Sequence, residues 1–137
     1  MMTRRQTLTT AAAALLASQA PRALRGQSLK RKALLTQELP RLDAKDMTVS
    51  VVELEYEPGG TSAEHRHPGH AFVYVVEGAL VSQLENGPAV TYTAGQMFYE
   101  PPMGLHAVSR NASEARPAKF LVFFLTEKGK PLTVPAK

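Results

Sequence analysis

Apolar and polar residues alternate along much of the chain beyond Asp46, which is the pattern of half-buried β-strands. The first such run covers residues 48–56 and ends at the turn-forming residues 58–60. The run over residues 71–77 is apolar on both faces, which predicts a strand buried between two layers. Alternation of this kind predicts a β domain rather than a helical one.

Short strands separated by turn residues continue towards the C-terminus. The predicted strands cover residues 80–84, 90–92, 97–100, 106–109 and 120–125. Asn86-Gly87 is the expected hairpin turn, because asparagine and glycine readily adopt the positive φ angles of a two-residue loop. About eight short strands with frequent turns predict an all-β jelly roll or small barrel, with residues 29–35 as an outer strand or lead-in.

Length and composition predict one folded domain that lacks a charged face for nucleic acid. The chain has 137 residues, of which 44% are hydrophobic and 20% charged. Its net charge of +4 comes from four arginines among residues 1–27, beyond which 12 basic residues face 12 acidic ones. A neutral domain argues against a nucleic-acid partner. Because the chain has no cysteine, a functional site must be built from histidine, carboxylate and hydroxyl groups.

Residues 1–27 resemble an export signal rather than part of the fold. They combine a positively charged start, a short weakly apolar stretch and small residues suited to cleavage. Arg4 and Arg5 stand in a sequence similar to the twin-arginine export signal, with Thr7 in place of the usual phenylalanine. The alternative is a disordered or amphipathic arm, and the segment is too short to span a membrane. We therefore expect an exported protein, periplasmic or extracellular, whose domain covers residues 28–137.

Three of the four histidines lie close together, at positions 65, 67 and 70, and the fourth is His106. In an extended segment, residues two apart point to the same face, so His65 and His67 can present two imidazoles to one point. Imidazole is a common ligand of transition metals, which makes this pair a candidate metal site. Paired histidines also occur on ordinary protein surfaces, and spacing alone leaves both interpretations open.

The glycines around these histidines give the chain a resemblance to the cupin superfamily. The first cupin motif is Gly-x5-His-x-His-x3–4-Glu-x6-Gly. Four of its positions are matched in register, by Gly59, His65, His67 and Gly78. The glutamate position differs, because Ala71 stands there.

The second cupin motif, Gly-x5-Pro-x-Gly-x2-His-x3-Asn, follows in the expected order. It is matched by Gly95, Pro101 and His106. Met103 replaces the second glycine, and Asn111 falls one residue late. The glycines and prolines of both motifs are also turn formers, which is part of their role. The resemblance covers roughly residues 28–126.

The resemblance implies a double-stranded β-helix, the cupin jelly-roll barrel, with one divalent metal ion inside it. His65, His67 and His106 would be the ligands, and iron, manganese, nickel, copper and zinc all accept imidazole. His70 is a candidate fourth ligand or, alternatively, a solvent-facing loop residue. With Ala71 in the glutamate position, three neutral imidazoles would leave the charge of the ion uncompensated, so we expect anionic substrates.

Glu100 is the candidate catalytic residue. It shares strand parity with Phe98, which should face the barrel interior, so Glu100 should face the interior as well. A carboxylate there is costly unless it is paired, hydrogen-bonded or bound to metal. We expect it either to replace the carboxylate missing at Ala71 as a fourth ligand or to act as a general base. The alternative is a place near the barrel mouth, where water or an arginine would stabilise it.

Together these features predict a mononuclear metal-dependent enzyme that acts on a small anionic organic compound. Dioxygenase-, isomerase- and decarboxylase-type reactions all suit a metal with open positions. The alternative is a non-catalytic module that binds or senses a small molecule through its metal, because fold alone does not settle function. The doubly apolar strand at residues 71–77 is compatible with a homodimer.

Overall fold

Two antiparallel sheets make up the part of the chain that the structure, a computed structural model, describes, namely residues 32–39 and 46–137. In chain order the strands are β1 (Met47–Tyr56), β2 (Thr61–Ser62), β3 (His65–Arg66), β4 (His70–Glu77), β5 (Ala79–Leu84), β6 (Val90–Thr93), β7 (Met97–Glu100), β8 (Leu105–Asn111), β9 (Ala118–Glu127) and β10 (Val134–Pro135). The first sheet has the order β1-β9-β4-β7; the second has the order β10-β3-β8-β5-β6, with β2 also paired to β8. These described residues contain no helix, and so none that is long and apolar enough to cross a membrane. The predicted all-β class is confirmed.

Most predicted strands are present within a residue or two of their predicted ends. The sequence did not predict β2, β3 and β10, which have two residues each, because so short a segment shows no alternation. In the predicted lead-in, residues 32–35 have no regular secondary structure. The rest of that segment and the predicted export signal, residues 1–27, lie outside the described residues.

The loop between β5 and β6 differs from the predicted two-residue hairpin turn. It covers residues 85–89 and is closed by a 3.0 Å hydrogen bond from the Gly87 N–H to the Leu84 carbonyl. The positive φ, 50°, is at Glu85 and not at Asn86-Gly87. The strands pair as predicted, but the predicted turn type is wrong, because the left-handed residue is Glu85 rather than Asn86 or Gly87.

Strand β9 contributes one of its two faces to the apolar interior of the domain. Burial alternates without interruption along it, so that one face packs inside and the other faces outward. The buried core consists of Ala71, Val73, Val75, Leu80, Phe98, Ala118, Phe120, Val122 and Phe124. Gly78 has a φ of 74°, and a Cβ there would lie 2.7 Å from the Pro117 carbonyl oxygen, so this motif position requires glycine.

The outer face of the first sheet is apolar as well. A row of directly paired residues crosses all four strands, formed by Val51, Phe123, Phe72 and Tyr99. On the edge strand β1, Val49 and Val51 are 67% and 54% exposed. The outer face therefore agrees with the apolar character that the sequence predicted for both sides of residues 71–77.

Candidate metal centre

Strand pairing brings the predicted histidines together. β3 and β8 are antiparallel neighbours, and His65 lies directly opposite His106. His67 follows β3 and is buried. Its carbonyl accepts a 2.7 Å hydrogen bond from the Met103 N–H, in the turn between β7 and β8. This contact ties the segment with the first two histidines to the turn that leads to the third.

Glu100, the last residue of β7, completes the group from the opposite sheet. It lies opposite Ala71 of β4, is only 4% exposed and faces the interior, as strand parity predicted. Its Oε2 is 3.2 Å from Nε2 of His67 and 3.1 Å from Nδ1 of His106. One candidate ligand atom from each of these three residues and from His65 lies within 4.8 Å of the others.

Each of the three imidazoles has its second ring nitrogen fixed by another part of the chain. Nδ1 of His65 bonds the Ala63 carbonyl at 2.8 Å, Nδ1 of His67 bonds the Leu132 carbonyl at 2.8 Å, and Nε2 of His106 bonds the Ser82 hydroxyl at 2.9 Å. Such bonds select the tautomer and orient the ring of a metal-binding histidine. A carbonyl can only accept, so the neutral rings of His65 and His67 keep a lone pair on Nε2 for a cation, and His106 keeps one on Nδ1 when the Ser82 hydroxyl accepts.

Two buried polar atoms at the centre of the cluster lack a hydrogen bond. They are Oε2 of Glu100 and Nδ1 of His106. A buried polar atom without a partner costs about 1–3 kcal/mol, so a native structure rarely keeps two side by side. Ligand atoms bound at right angles to one ion, at about 2.0–2.2 Å, are about 3 Å apart. The spacing of Glu100, His67 and His106 therefore fits a transition-metal ion, and His65 supplies a fourth donor in the same cluster.

Electrostatics at the cluster favour a positive charge beside Glu100. Burial by itself raises the pKa of the Glu100 carboxyl, but the contacts with His106 and His67 outweigh burial and lower that pKa to about 2. Burial lowers the pKa of His67, but the adjacent Glu100 carboxylate raises it overall. The pKa of His65 is lowered, chiefly by burial. The carboxylate is thus ionised and favours a cation within the cluster.

His70 does not join this cluster. It begins β4, where alternation sends Ala71 inward and His70 to the outer face of the first sheet. There it is buried, and its Nδ1 is 2.7 Å from the Tyr99 hydroxyl, with the two rings stacked. The structure therefore places His70 neither beside the candidate ligands nor in a solvent-facing loop.

A cavity of about 470 Å³ opens beside the four candidate ligands. Its wall on the first sheet is mostly apolar and includes Val73, Phe98, Phe120, Val122 and Phe124. Its wall on the second sheet carries the histidines and several hydroxyl groups. A cavity of this volume is large enough for a small organic molecule.

Sequence reasoning missed the groups that orient the imidazoles. Ser82 carried a weak signal, because it is a polar residue with the inward parity of Leu80 in a predicted strand. The Leu132 carbonyl carried none, because any residue could supply it and it is distant in the chain from His67. Only the folded position of the segment before β10 reveals this contact.

The family model for the cupin domain matches residues 52–124, which is more than half of the chain. Two facing antiparallel sheets around a buried histidine and glutamate cluster agree with that match. The chain therefore belongs to the cupin family. None of the curated proteins matches the chain.

Solved structures show the same fold at low sequence identity. A cupin-like protein from Thermotoga maritima has a TM-score of 0.55 and 22% identity, over 63% of this chain and 62% of its own. An oxalate decarboxylase from Lactobacillus farciminis, in complex with formate, has a TM-score of 0.55 and 24% identity, over 64% and 26%. A DMSP lyase from Ruegeria pomeroyi has a TM-score of 0.54 and 20% identity, over 67% and 44%. The fold is the cupin double-stranded β-helix, and this chain spans less than half the length of either enzyme.

Proposed function

We propose that this protein is a mononuclear metal-dependent cupin enzyme that acts on a small anionic organic compound. The observation that carries the proposal is the convergence of three oriented imidazoles and one buried carboxylate beside an open cavity. Similarity in fold to an oxalate decarboxylase and a DMSP lyase supports a small organic substrate. The reaction would be of the dioxygenase, isomerase or decarboxylase type.

In this proposal all four residues of the cluster hold the metal. The histidines would bind through the ring nitrogens that face the cluster, and Glu100 through Oε2. We assign Glu100 as a ligand rather than a general base, because the same oxygen lies 3.1–3.2 Å from nitrogens of two other ligands. A bound divalent metal would act as a Lewis acid on an oxygen of the substrate, or it would activate molecular oxygen.

Glu100 changes the charge that the sequence predicted for this site. With Ala71 in the glutamate position, we expected three neutral imidazoles and a full uncompensated charge. The Glu100 carboxylate offsets one unit of it, so a divalent ion would retain a single net positive charge. Among the described residues, no lysine or arginine lines the cavity. The metal would therefore be the positive charge that a substrate anion meets.

The residues around the cluster exclude water and hold the ligands in place. Phe124 packs against the His67 ring, with 5.1 Å between ring centroids. Ser82 and the Leu132 carbonyl orient the imidazoles of His106 and His67. Rigid, partly desolvated ligands of this kind strengthen electrostatic interactions with a bound anion.

A non-catalytic binding or sensing module is the second candidate, and one observation favours it. If Glu100 is a ligand, the rest of the described cavity lining offers hydroxyl groups and the exposed Glu64, but no further histidine, lysine or aspartate. Hydroxyl groups are weak acids, so proton transfer then depends on Glu64 or on solvent. A binding module needs no such group.

Metal content and turnover measured on the same sample test the proposal. We expect about one transition-metal ion per chain by elemental analysis. We also expect oxygen uptake or product formation with at least one member of a panel of dicarbonyls, small organic acids and phenolic compounds. The His70→Gln variant is the matched control, since it changes a buried histidine outside the cluster. Fully loaded protein without turnover on the whole panel would favour the binding module, and protein that binds no metal would overturn both.

We also propose that a second copy of the chain covers the apolar outer face of the first sheet. Support comes from the apolar row that crosses four strands and from the exposure of Val49 and Val51 at its edge. Val51→Lys should convert a dimer to a monomer in light-scattering measurements. Val90→Lys, at an exposed valine of the other sheet, is the control that should leave the dimer intact.

We further propose that residues 1–27 direct export through the twin-arginine pathway. The support is the sequence alone, namely the paired Arg4 and Arg5 before a weakly apolar stretch. Replacing both arginines by lysine should retain the protein in the cytoplasm of its native host. An intact N-terminus on protein recovered from the periplasm would contradict the proposed cleavage.

A further inference from the structure

The cavity contains a second group of polar side chains, separate from the metal cluster. Tyr56, Ser62 and Ser109 all line it. The Tyr56 hydroxyl is 2.9 Å from the Ser109 hydroxyl and also bonds the Ser62 hydroxyl. We call these three residues the hydroxyl cluster. No part of the proposed metal chemistry uses it.

Strand register separates the hydroxyl cluster from the metal ligands. On β8, His106 is paired with His65, whereas Ser109 is paired with Ser62 on one side and with Ser82 on the other. Three residues of regular extended chain correspond to about 10 Å, and a register shift between β5 and β8 makes this stretch irregular. The two polar groups therefore lie at different positions along the same cavity, whose volume of about 470 Å³ is large enough for one small organic molecule that contacts both.

The hydroxyl cluster is suited to a neutral group. Three hydroxyls carry three O–H donors, and two of these are used by the hydrogen bonds within the cluster. One donor and several acceptor positions remain for a ligand. The nearby cavity lining adds no cation, and Glu64 at the rim carries a negative charge that disfavours a second anionic group.

The surface that faces the hydroxyl cluster is apolar. The Tyr56 ring packs against Phe120, with ring centroids 5.4 Å apart, and Leu54 and Leu80 line the same cavity. A molecule that lies between the two polar groups would thus have its middle part against hydrocarbon. Burial of that part is favourable only if it is itself apolar.

We propose that Tyr56, Ser62 and Ser109 form a second binding subsite, which selects anions that carry a neutral hydrogen-bonding group at the far end of an apolar body. The inference rests on the proposed metal site, which would bind the anionic end. The ligand class is that of a carboxylate or enolate, an apolar middle part, and a distal hydroxyl, carbonyl or amide.

The test compares two probe acids that differ in one hydroxyl, cinnamate and 4-hydroxycinnamate. Calorimetry would measure their affinities for the full chain loaded with Co²⁺, whose content is measured separately. One additional hydrogen bond should make 4-hydroxycinnamate bind about threefold to tenfold more tightly than cinnamate. Tyr56→Phe should abolish this preference while the cinnamate affinity and the Co²⁺ content stay unchanged.

Controls keep this inference distinguishable from the proposed metal site. Tyr74→Phe removes a tyrosine hydroxyl from the outer face, where Tyr74 pairs with Leu121, and should keep the preference. Ser109→Ala provides a second variant should Tyr56→Phe fail to fold. A preference that survives both Tyr56→Phe and Ser109→Ala overturns the subsite, as does metal-loaded wild-type protein that shows no preference. Protein that cannot be loaded with Co²⁺ overturns the metal site, and the subsite with it.

Discussion

Ala71 and Glu100 lie directly opposite each other in the antiparallel pair of β4 and β7, and both side chains point into the barrel. Directly paired residues have Cβ atoms about 4.5–5.5 Å apart. The carboxylate that the first cupin motif usually places at the position of Ala71 is therefore available from the neighbouring strand. In this chain the interior carboxylate thus stands on β7, opposite the motif position on β4.

Moving the carboxylate across the strand pair tests this relationship. Glu100→Ala should weaken metal binding by at least about tenfold, because a charged ligand is removed. The double variant Ala71→Glu/Glu100→Ala should recover much of the affinity, since it conserves both volume and charge. Metal titration of the purified proteins measures both effects, with Glu64→Gln as the control at an exposed carboxylate. A double variant no better than Glu100→Ala would refute the exchange.

Metal binding should stabilise the fold through His67 but not through His70. A ligand present at 100 times its Kd adds about 2.7 kcal/mol to the free energy of unfolding. A chelator should therefore lower the Tm of the wild-type protein and of His70→Gln by several degrees. It should leave the already reduced Tm of His67→Ala unchanged. An equal response of the two variants to the chelator would contradict the assignment of ligands.

Ser82 should act on the metal through His106. Ser82→Ala removes the hydroxyl that is 2.9 Å from Nε2 of His106, so the ring loses its orienting contact. Loss of such a partner typically lowers metal affinity about 10- to 100-fold. Ser109→Ala, at the residue paired with Ser82 on the neighbouring strand, should leave metal affinity unchanged. Competition with a metal indicator measures the two variants, and identical affinities would show that the hydroxyl contributes nothing.

Acid should destabilise the protein in part through His70. Burial lowers the pKa of His70 below its ordinary value of about 6.5. Below pH 6.5 the unfolded chain therefore binds a proton more readily than the folded one. The contribution of His70 to stability is fully present above about pH 6.5 and is lost as the pH falls below it.

Denaturant unfolding between pH 8 and pH 5 checks this prediction in the metal-loaded protein. The wild-type protein should lose more stability over that range than His70→Gln does. Tyr99, the hydrogen-bond partner of His70, has a pKa raised by burial and does not titrate in this window. Parallel curves for the two proteins would mean that His70 keeps an ordinary pKa.

Met103 should be replaceable by glycine with a gain in stability. Its φ is 59°, a conformation that costs an ordinary residue about 1–2 kcal/mol, and its side chain is half exposed. Glycine avoids this strain but is more flexible in the unfolded chain, so we expect a net gain of up to about 1 kcal/mol. Met97→Gly, at a strand position, should instead lose stability. Chemical denaturation of both variants measures the difference.

The sequence by itself determined the strands and the inward direction of the site residues. Alternation with a period of two is a local property, so it predicted β1 and β4 to β9 and placed Glu100 on the same side as Phe98. The same rule put His65 and His67 within reach of one point. It also placed His70 and Ala71 on opposite faces of the strand. The sequence left open, however, that the loop before His70 could turn this side chain inward.

The tertiary structure alone decided which distant groups meet. The pairing of Ala71 with Glu100 depends on the register of β4 against β7, and that register follows from how both strands pack, not from either strand's own pattern. The Leu132 carbonyl reaches His67 because the C-terminal segment pairs with β3, and the backbone of any residue could have served. Contacts between remote segments leave no periodic pattern in the sequence and require no particular residue type. Only the packed fold therefore specifies them.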